Sequence, residues 1–132
     1  MLGFDLKSNI KPLNGLNTQV ISSDTTTAGE VIDTAAYHSL AAVLKTGVVT
    51  AGDVQLIIEE SDVAGSGFVA VASDYLDGTL LSTNISASNG ISIIGINATK
   101  RYVNISVLTA NSANLTVGCS VLLGTPNIIP TV

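Results

Sequence analysis

The chemistry open to this chain is limited by its single histidine, His38, and its single cysteine, Cys119. A hydrolase triad needs a base beside its nucleophile, and His38 is the sole histidine available for that role. His38 shares an alternating register with Leu40, which favours a histidine held within a strand over a catalytic base. Cys119 also falls on an apolar register, so we predict a plain core cysteine. These two residues, far apart in the chain, cannot supply the usual ligand spacing of a zinc site.

Carboxylates are the remaining candidates, and they are densest in the segment from Glu59 to Asp62, with Asp74 and Asp77 further along. This segment lacks the spaced Asp, Asn and Gly pattern of a calcium loop, so a solvated strand end is favoured over a metal site. Glu59 and Glu60 are adjacent and would point to opposite faces of a strand, which argues against a paired acid and base. We therefore predict no catalytic residue, no metal, no cofactor and no enzymatic activity.

Alternation of apolar and polar residues predicts the strands that position these side chains, because successive side chains of a strand point to opposite faces. The clearest alternations are Leu115 to Leu123, Tyr102 to Val107, Val54 to Glu59 and His38 to Lys45. Weaker candidates, each bounded by turn-forming residues, are Gln19 to Ser22, Glu30 to Asp33, Gly67 to Ala72 and Ile91 to Asn97. The total is about eight strands.

Long loops are predicted between these strands, including a flexible one at Ala64 to Gly67. Lys45 to Asp53 is predicted to be a hairpin-like connection, and Ser73 to Leu76 a helical turn that ends before Gly78. Eight or so short strands favour an all-β fold, a jelly-roll-like or Greek-key β-sandwich with extended N- and C-terminal arms. We expect a single domain over residues 1–132.

Residues 1–17 and 125–132 are apolar without a regular period, and we predict an N-terminal arm and a C-terminal tail around a sandwich of residues 18–124. Pro126 and Pro130 oppose regular pairing in the tail. Both extensions could fold back over their own domain or lie on a neighbouring subunit. For the second case the predicted interface residues are Phe4, Leu6, Ile10, Leu13, Ile128 and Ile129.

The composition excludes several classes of partner. A net charge of -5 with only five scattered cations argues against nucleic-acid binding. No apolar run is long enough for a membrane span, and the first residues do not resemble a signal peptide. The last two strands carry short uncharged groups on their outward registers, namely Asn104, Ser106, Thr116 and Ser120. Such a face can lie flat against another protein or be an ordinary solvated surface.

Five short segments, taken in order, resemble segments of small structural proteins of tailed bacteriophages. They are Ser23 to Leu40, Glu59 to Asp62, Phe68 to Ala72, Leu76 to Thr79 and Lys100 to Val103. Proteins of this kind are similar to capsid decoration, or cement, proteins. The likeness covers about residues 18–108, and it departs from the pattern at His38 and in lacking a basic residue after Val103.

This resemblance implies a jelly-roll-like domain on the outer surface of the phage head, made in the bacterial cytoplasm. It implies the major capsid protein as partner, self-association as a homodimer or homotrimer, and stabilisation of the shell at subunit junctions. A tail or baseplate subunit would share the same composition. A carbohydrate-binding fibre domain is a further alternative, although sugar stacking favours exposed aromatics and the chain has no Trp and only Tyr37, Tyr75 and Tyr102.

Overall fold

The computed structural model describes residues 6–35, 37–78 and 83–126, and most of them lie in strands. The seven strands are β1 (Ile10–Ile21), β2 (Thr26–Asp33), β3 (Tyr37–Ser61), β4 (Val69–Ala70), β5 (Leu76–Asp77), β6 (Ile91–Ile96) and β7 (Tyr102–Pro126). Short 3₁₀ helices lie at Lys7–Asn9 and Ser73–Tyr75, and no helix in these ranges has the length and apolar character to cross a bilayer. The predicted all-β class is confirmed.

The strands form one antiparallel sheet that bends into two leaves. Its order is β1-β7-β3-β6-β5, with β2 also paired to β7 and β4 to β3. Leaf 1 contains β1, the C-terminal half of β7, the N-terminal half of β3, β6 and β5. Leaf 2 contains β2, the N-terminal half of β7, the C-terminal half of β3 and β4. Each long strand therefore contributes to both leaves.

The predicted hairpin over Lys45 to Asp53 is wrong, because β3 continues through this region and remains paired with β7. The register shifts three times between Thr46 and Asp53, and Gly52 adopts a φ of 80°. A Cβ at Gly52 would lie 2.5 Å from the Ala110 carbonyl oxygen, so glycine is required at this bend. Both strands bend at the same place. Their pairing is irregular there and is regular again on either side of the bend.

Side chains on neighbouring segments stabilise the bend. Asn111 and Ser112 of β7 have φ values of 63° and 60°, in the left-handed region. The Asp24 carboxylate accepts hydrogen bonds from the backbone N–H groups of Ser112 (3.2 Å) and Ala113 (2.8 Å). Asp53 accepts a 2.5 Å bond from the Asn111 amide. The hydrogen bonds of the Asp24 and Asp53 carboxylates therefore stabilise the bend.

The core lies between the leaves and is formed by the inward registers of the four strong alternations. Leaf 1 contributes Leu40, Ala42, Leu44, Leu115, Val117, Cys119, Val121 and Leu123, and leaf 2 contributes Val54, Leu56, Ile58, Val103, Ile105 and Val107. All of these residues are buried, so the predicted inward registers are confirmed. Fourteen aliphatic or small side chains from two leaves supply the apolar burial that stabilises a sandwich.

Two glycines allow the leaves to approach each other where β1 and β2 meet. Gly15 lies in β1, and a Cβ there would be 3.0 Å from Val121 Cγ2 in the core. A Cβ at Gly29 of β2 would overlap the carbonyl oxygens of Gly15 and Ile105. Because neither glycine has a side chain, β1 and β2 can approach each other and close one side of the sandwich.

The predicted N-terminal arm is shorter than the sequence indicates, because the chain is a strand from Ile10 onward. Register shifts between Asn14 and Leu16 and between Leu16 and Gln19 disrupt the period of two that would have identified β1. Pro12 is tolerated because β1 is an edge strand. At the other terminus β7 extends to Pro126, and residues 127–132 lie outside the described ranges.

Candidate functional site: one polar end and two sheet faces

The end of the sandwich opposite the bend, which we call the open end, contains an ion pair between Asp33 and Arg101. Arg101 Nε and Nη2 donate to the two carboxylate oxygens of Asp33 over 3.0 and 2.9 Å. The Ala35 backbone N–H adds a third bond to this carboxylate. The hydrogen bonds from Arg101, and then that from Ala35, lower the pKa of Asp33 from 3.8 to about 2. The guanidinium also lies 5.1 Å from the centre of the Tyr102 ring.

The acidic segment from Glu59 to Asp62 contains structural contacts where the sequence indicates a solvated strand end. Glu60 is only 5% exposed and accepts hydrogen bonds from the backbone N–H (2.9 Å) and hydroxyl (2.8 Å) of Thr99. The Ser61 hydroxyl is buried and donates to the Ser66 carbonyl oxygen over 2.5 Å. Glu60 shares the inward register of Ile58, which the alternation of this strand could have revealed.

Residues from four of the segments that carry the phage resemblance meet at the open end, whereas Asp24, near the start of the first segment, lies at the bend. Asp33 belongs to the first and binds Arg101 of the last. Glu60 of the second segment is paired with Val69 of the third. Since β3 also pairs with β7 here, through Ser61 and Tyr102, these residues form one cluster in space. Their order and spacing in the sequence therefore correspond to a set of tertiary contacts.

The structure places the two reactive residue types within strands. Cys119 is a buried free thiol on the inward register of β7, and the prediction of a core cysteine is confirmed. Burial raises the pKa of its thiol from 9.0 to about 12. The backbone of His38 belongs to β3, and its side chain lies outside the described part of the structure. Within the described ranges, no group of three or more His, Cys, Asp or Glu side chains could hold a metal ion.

The outer face of leaf 2 consists of three cross-strand rows of short or uncharged side chains. The rows are Thr26, Leu108 and Gln55; Ala28, Ser106 and Ile57; and Val31, Asn104 and Glu59. Ser106, at the centre, is only 5% exposed although it points outward. Glu59 is the one charged side chain in these rows. This surface, which we call the leaf 2 face, has few long side chains to immobilise on binding.

The outer face of leaf 1 contains exposed branched apolar residues. Ile91 and Ile93 of β6 are 67% and 62% exposed and lie on the same face, two residues apart. Ile93 pairs with Val43, and Ile91 with Lys45. Gly95 follows on the same register, and a Cβ there would be 3.0 Å from Asp77 Cβ, which places Asp77 on this face. We call Ile91, Ile93, Val43, Lys45 and Asp77 the leaf 1 patch.

A groove of about 380 Å³ lies on leaf 1, near the bend. Its lining includes Asn14, Lys45, Asn89, Thr116 and Ser120. The register shift between Leu16 and Gln19 separates β1 from a regular ladder with β7 at this point, and Gly47 and Gly118 contribute no side chains to fill the space. The lining combines one cation and several hydroxyl and amide groups with the apolar residues Leu16, Val43 and Cys119, so the groove is mixed in polarity.

The predicted interface residues fall into three groups. Leu6, just before the first 3₁₀ helix, is 70% exposed and is available for contacts. Ile10 pairs with Gly124, and Leu13 packs against the core of its own sandwich. Phe4, Ile128 and Ile129 lie outside the described ranges. An intersubunit role for these six residues stays a prediction.

The fold is similar to that of known structures, although no protein-family model and no curated protein sequence matches. The crystal structure of PBSX exported protein XepA superposes with a TM-score of 0.60 at 15% identity, over 92% of this chain and 39% of XepA. The chain thus spans about two fifths of that protein. Weaker matches are an endospore appendage pilus protein of Bacillus (TM-score 0.41, 14% identity, 96% and 98% coverage) and the infectious bursal disease virus VP2 subviral particle (0.33, 14%, 89% and 41%). The XepA match shows a shared fold.

Proposed function

We propose that this chain is a non-enzymatic structural protein of a phage virion that binds the outer surface of the head and stabilises the shell at subunit junctions. The observation that carries the proposal is the leaf 2 face. Its central row of Ala28, Ser106 and Ile57 is uncharged and lies across three paired strands, β2, β7 and β3. A partner can cover it with little loss of side-chain entropy. Many weak copies acting on one shell would gain avidity.

Two further observations support this proposal. Residues from four of the segments that resemble phage structural proteins contact one another at the open end. The fold is also similar to that of PBSX exported protein XepA. Within the described residues the carboxylates Asp33, Glu60 and Asp53 are engaged in internal hydrogen bonds, which supports a binding role over catalysis.

The test is to mix the purified protein with phage heads that lack it, sediment the particles and image them by electron microscopy with symmetry averaging. We expect new density at subunit junctions and heads that better resist heat or chelator. Ala28→Lys, which places a charge on the leaf 2 face, should weaken head binding by at least about tenfold. Ala64→Lys makes the same substitution at an exposed position in the loop after β3, outside both faces, and is the matched control, with binding expected to be unchanged.

Failure of the wild-type protein to bind heads would overturn the proposal and favour a tail or baseplate subunit, or a sugar-binding fibre domain. Head binding that Ala28→Lys leaves intact would assign the contact to another surface. The tyrosines give limited support to sugar binding, because Tyr37 packs against the core and Arg101 lies over the ring of Tyr102, which leaves Tyr75 as the exposed tyrosine of the three. Specific glycan binding by the isolated protein would favour the sugar-binding fibre domain over the head-binding role.

A further inference from the structure

The leaf 1 patch has an apolar centre that the described chain leaves exposed. Ile91 and Ile93 project from β6 beside Val43 of β3, and each of the two isoleucines is more than half exposed. Large apolar side chains that are adjacent on a flat sheet mark an interaction surface more strongly than scattered ones do. Leu76, in the neighbouring strand β5, instead packs against the core. Ile91 and Ile93 therefore belong to the outer face of leaf 1 and not to its core.

Two opposite charges flank this centre at equal intervals. Lys45 pairs with Ile91, and Asp77 pairs with Gly95, so both lie two residues from Ile93 along β6. Lys45 is on β3 and Asp77 on β5, the two strands that flank β6. Ile93 consequently lies at the midpoint of the line that joins the two charges.

Within one copy these charges are too far apart to pair. Two strand spacings and four residues along the strand separate them by roughly 16 Å, about twice the Debye length at physiological salt. The one salt bridge among the described residues is that of Asp33 with Arg101. Lys45 and Asp77 are thus available for a partner of complementary charge.

The patch is complementary to itself. Consider a twofold axis that is parallel to the sheet, passes over Ile93 and is perpendicular to the line from Lys45 to Asp77. It exchanges the two charged positions, so Lys45 of one copy would face Asp77 of the other. The Ile93 side chains of both copies would meet on the axis, and Ile91 of each copy would lie to one side of it. An isologous interface needs this property, in which residue i contacts residue j and j contacts i.

We infer that two copies of this chain associate face to face through the leaf 1 patch, with Ile93 on the twofold axis and two reciprocal Lys45–Asp77 ion pairs. The apolar centre provides the affinity, and the charges fix the orientation. This inference does not depend on head binding, which we assign to leaf 2. A dimer formed through leaf 1 would leave the leaf 2 face of both copies free.

The test is sedimentation equilibrium of the full chain over a wide concentration range, without heads. We expect a reversible dimer for the wild-type protein. Lys45→Glu or Asp77→Lys places like charges opposite each other twice per dimer and should raise the dissociation constant at least about tenfold. The double variant Lys45→Glu/Asp77→Lys restores both pairs with exchanged partners and should return the constant to within about threefold of wild type.

Matched controls carry the same charge changes outside the patch. Lys11→Glu in β1 and Asp62→Lys after β3 alter exposed residues and should leave the dissociation constant unchanged. Ile93→Thr retains a β-branched side chain on the strand and should weaken association without unfolding the protein. Circular dichroism verifies the fold of each variant.

A wild-type protein that stays monomeric at all concentrations overturns the inference. A dimer that is indifferent to both single charge reversals, or that the double variant fails to restore, uses another surface and overturns it equally. Head binding is measured separately with the same variants. If Asp77→Lys abolishes the dimer and still binds heads, the two roles are distinct, whereas loss of head binding alone leaves the dimer assignment intact.

Discussion

Leaf 1 and leaf 2 bury the same kind of side chain but present different ones to the outside. Their inward registers are both filled by Val, Ile and Leu. Outward, leaf 2 has Ala28 and Ser106 at its centre, whereas leaf 1 has Ile91 and Ile93. The inward positions are constrained by the shared core, while the outward ones are free to be selected for a partner. The same alternation therefore specifies one fold and two surfaces of different chemistry.

The largest expected effect tests whether the leaves are equivalent on the inside. Leu44→Ala in leaf 1 and Leu56→Ala in leaf 2 each remove a fully buried side chain and should each lower the free energy of unfolding by about 3 kcal/mol. Ile93→Ala, on the outer face, should change it by less than about 0.5 kcal/mol at concentrations where the protein is monomeric. Urea denaturation measures all three values. A cost confined to one leaf would contradict a common core.

The next effect concerns the side where the leaves meet. A methyl group at Gly29 would overlap the carbonyl oxygens of Gly15 and Ile105, so Gly29→Ala must displace backbone and should destabilise the protein by about 2 kcal/mol. Gly65→Ala is the matched control, because no atom lies within 4 Å of a Cβ placed there. Equal stability of the two variants would show that β1 and β2 do not approach as closely as described.

A smaller effect is expected at the open end, where Arg101 binds Asp33. The pKa of Asp33 is lowered to about 2 in the folded state, so its contribution to stability is present above the unfolded value of 3.8 and is lost as the pH falls through about 2. Arg101→Gln should raise the carboxyl pKa of Asp33 towards 3.8. NMR titration of that carboxyl group measures the shift. An unchanged pKa would mean that Arg101 does not bind Asp33 in solution.

The smallest expected effect concerns the accessibility of Cys119 in leaf 1, which its reaction with a thiol reagent measures. Cys119 faces the core beneath the groove, and burial raises its pKa to about 12, so it should resist alkylation at neutral pH in the folded protein. Alkylation should become fast only above the urea unfolding midpoint. Rapid labelling of the native protein would show that the groove gives access to the inner face of leaf 1, which would distinguish the leaves inside as well as outside.

Sequence analysis located the strands whose two registers differ clearly in polarity. The alternations around Leu56, Ile105 and Val117 predicted both the strands and their buried faces. It found only the end of β1, as Gln19 to Ser22, because two register shifts interrupt the period, and it divided β3 because the bend at Gly52 looks like a turn. Glycine and polar residues occur both in hairpin turns, where the chain reverses, and at bends within a continuous paired strand. The local sequence does not distinguish the two.

The candidate surfaces were predictable in part. Asn104 and Ser106 were recognised as outward and uncharged, and they lie on the leaf 2 face. The leaf 1 patch was not recognised, because Ile91 to Ile96 contains apolar residues on both registers, and the sequence does not say which register faces the core. Glu60 was expected in solvent, since its hydrogen bonds to Thr99 join segments distant in the chain.

The sequence by itself determined that this protein is all-β, that Cys119 is a core residue and which side chains of the regular strands face inward. Each of these depends on local polarity and period. Only the tertiary structure decided that β3 and β7 bend together, that Asp33 meets Arg101, and that Lys45 and Asp77 flank Ile93 on one face. Those features depend on strand order and register, which are fixed by packing between segments far apart in the chain and leave no periodic trace in the sequence.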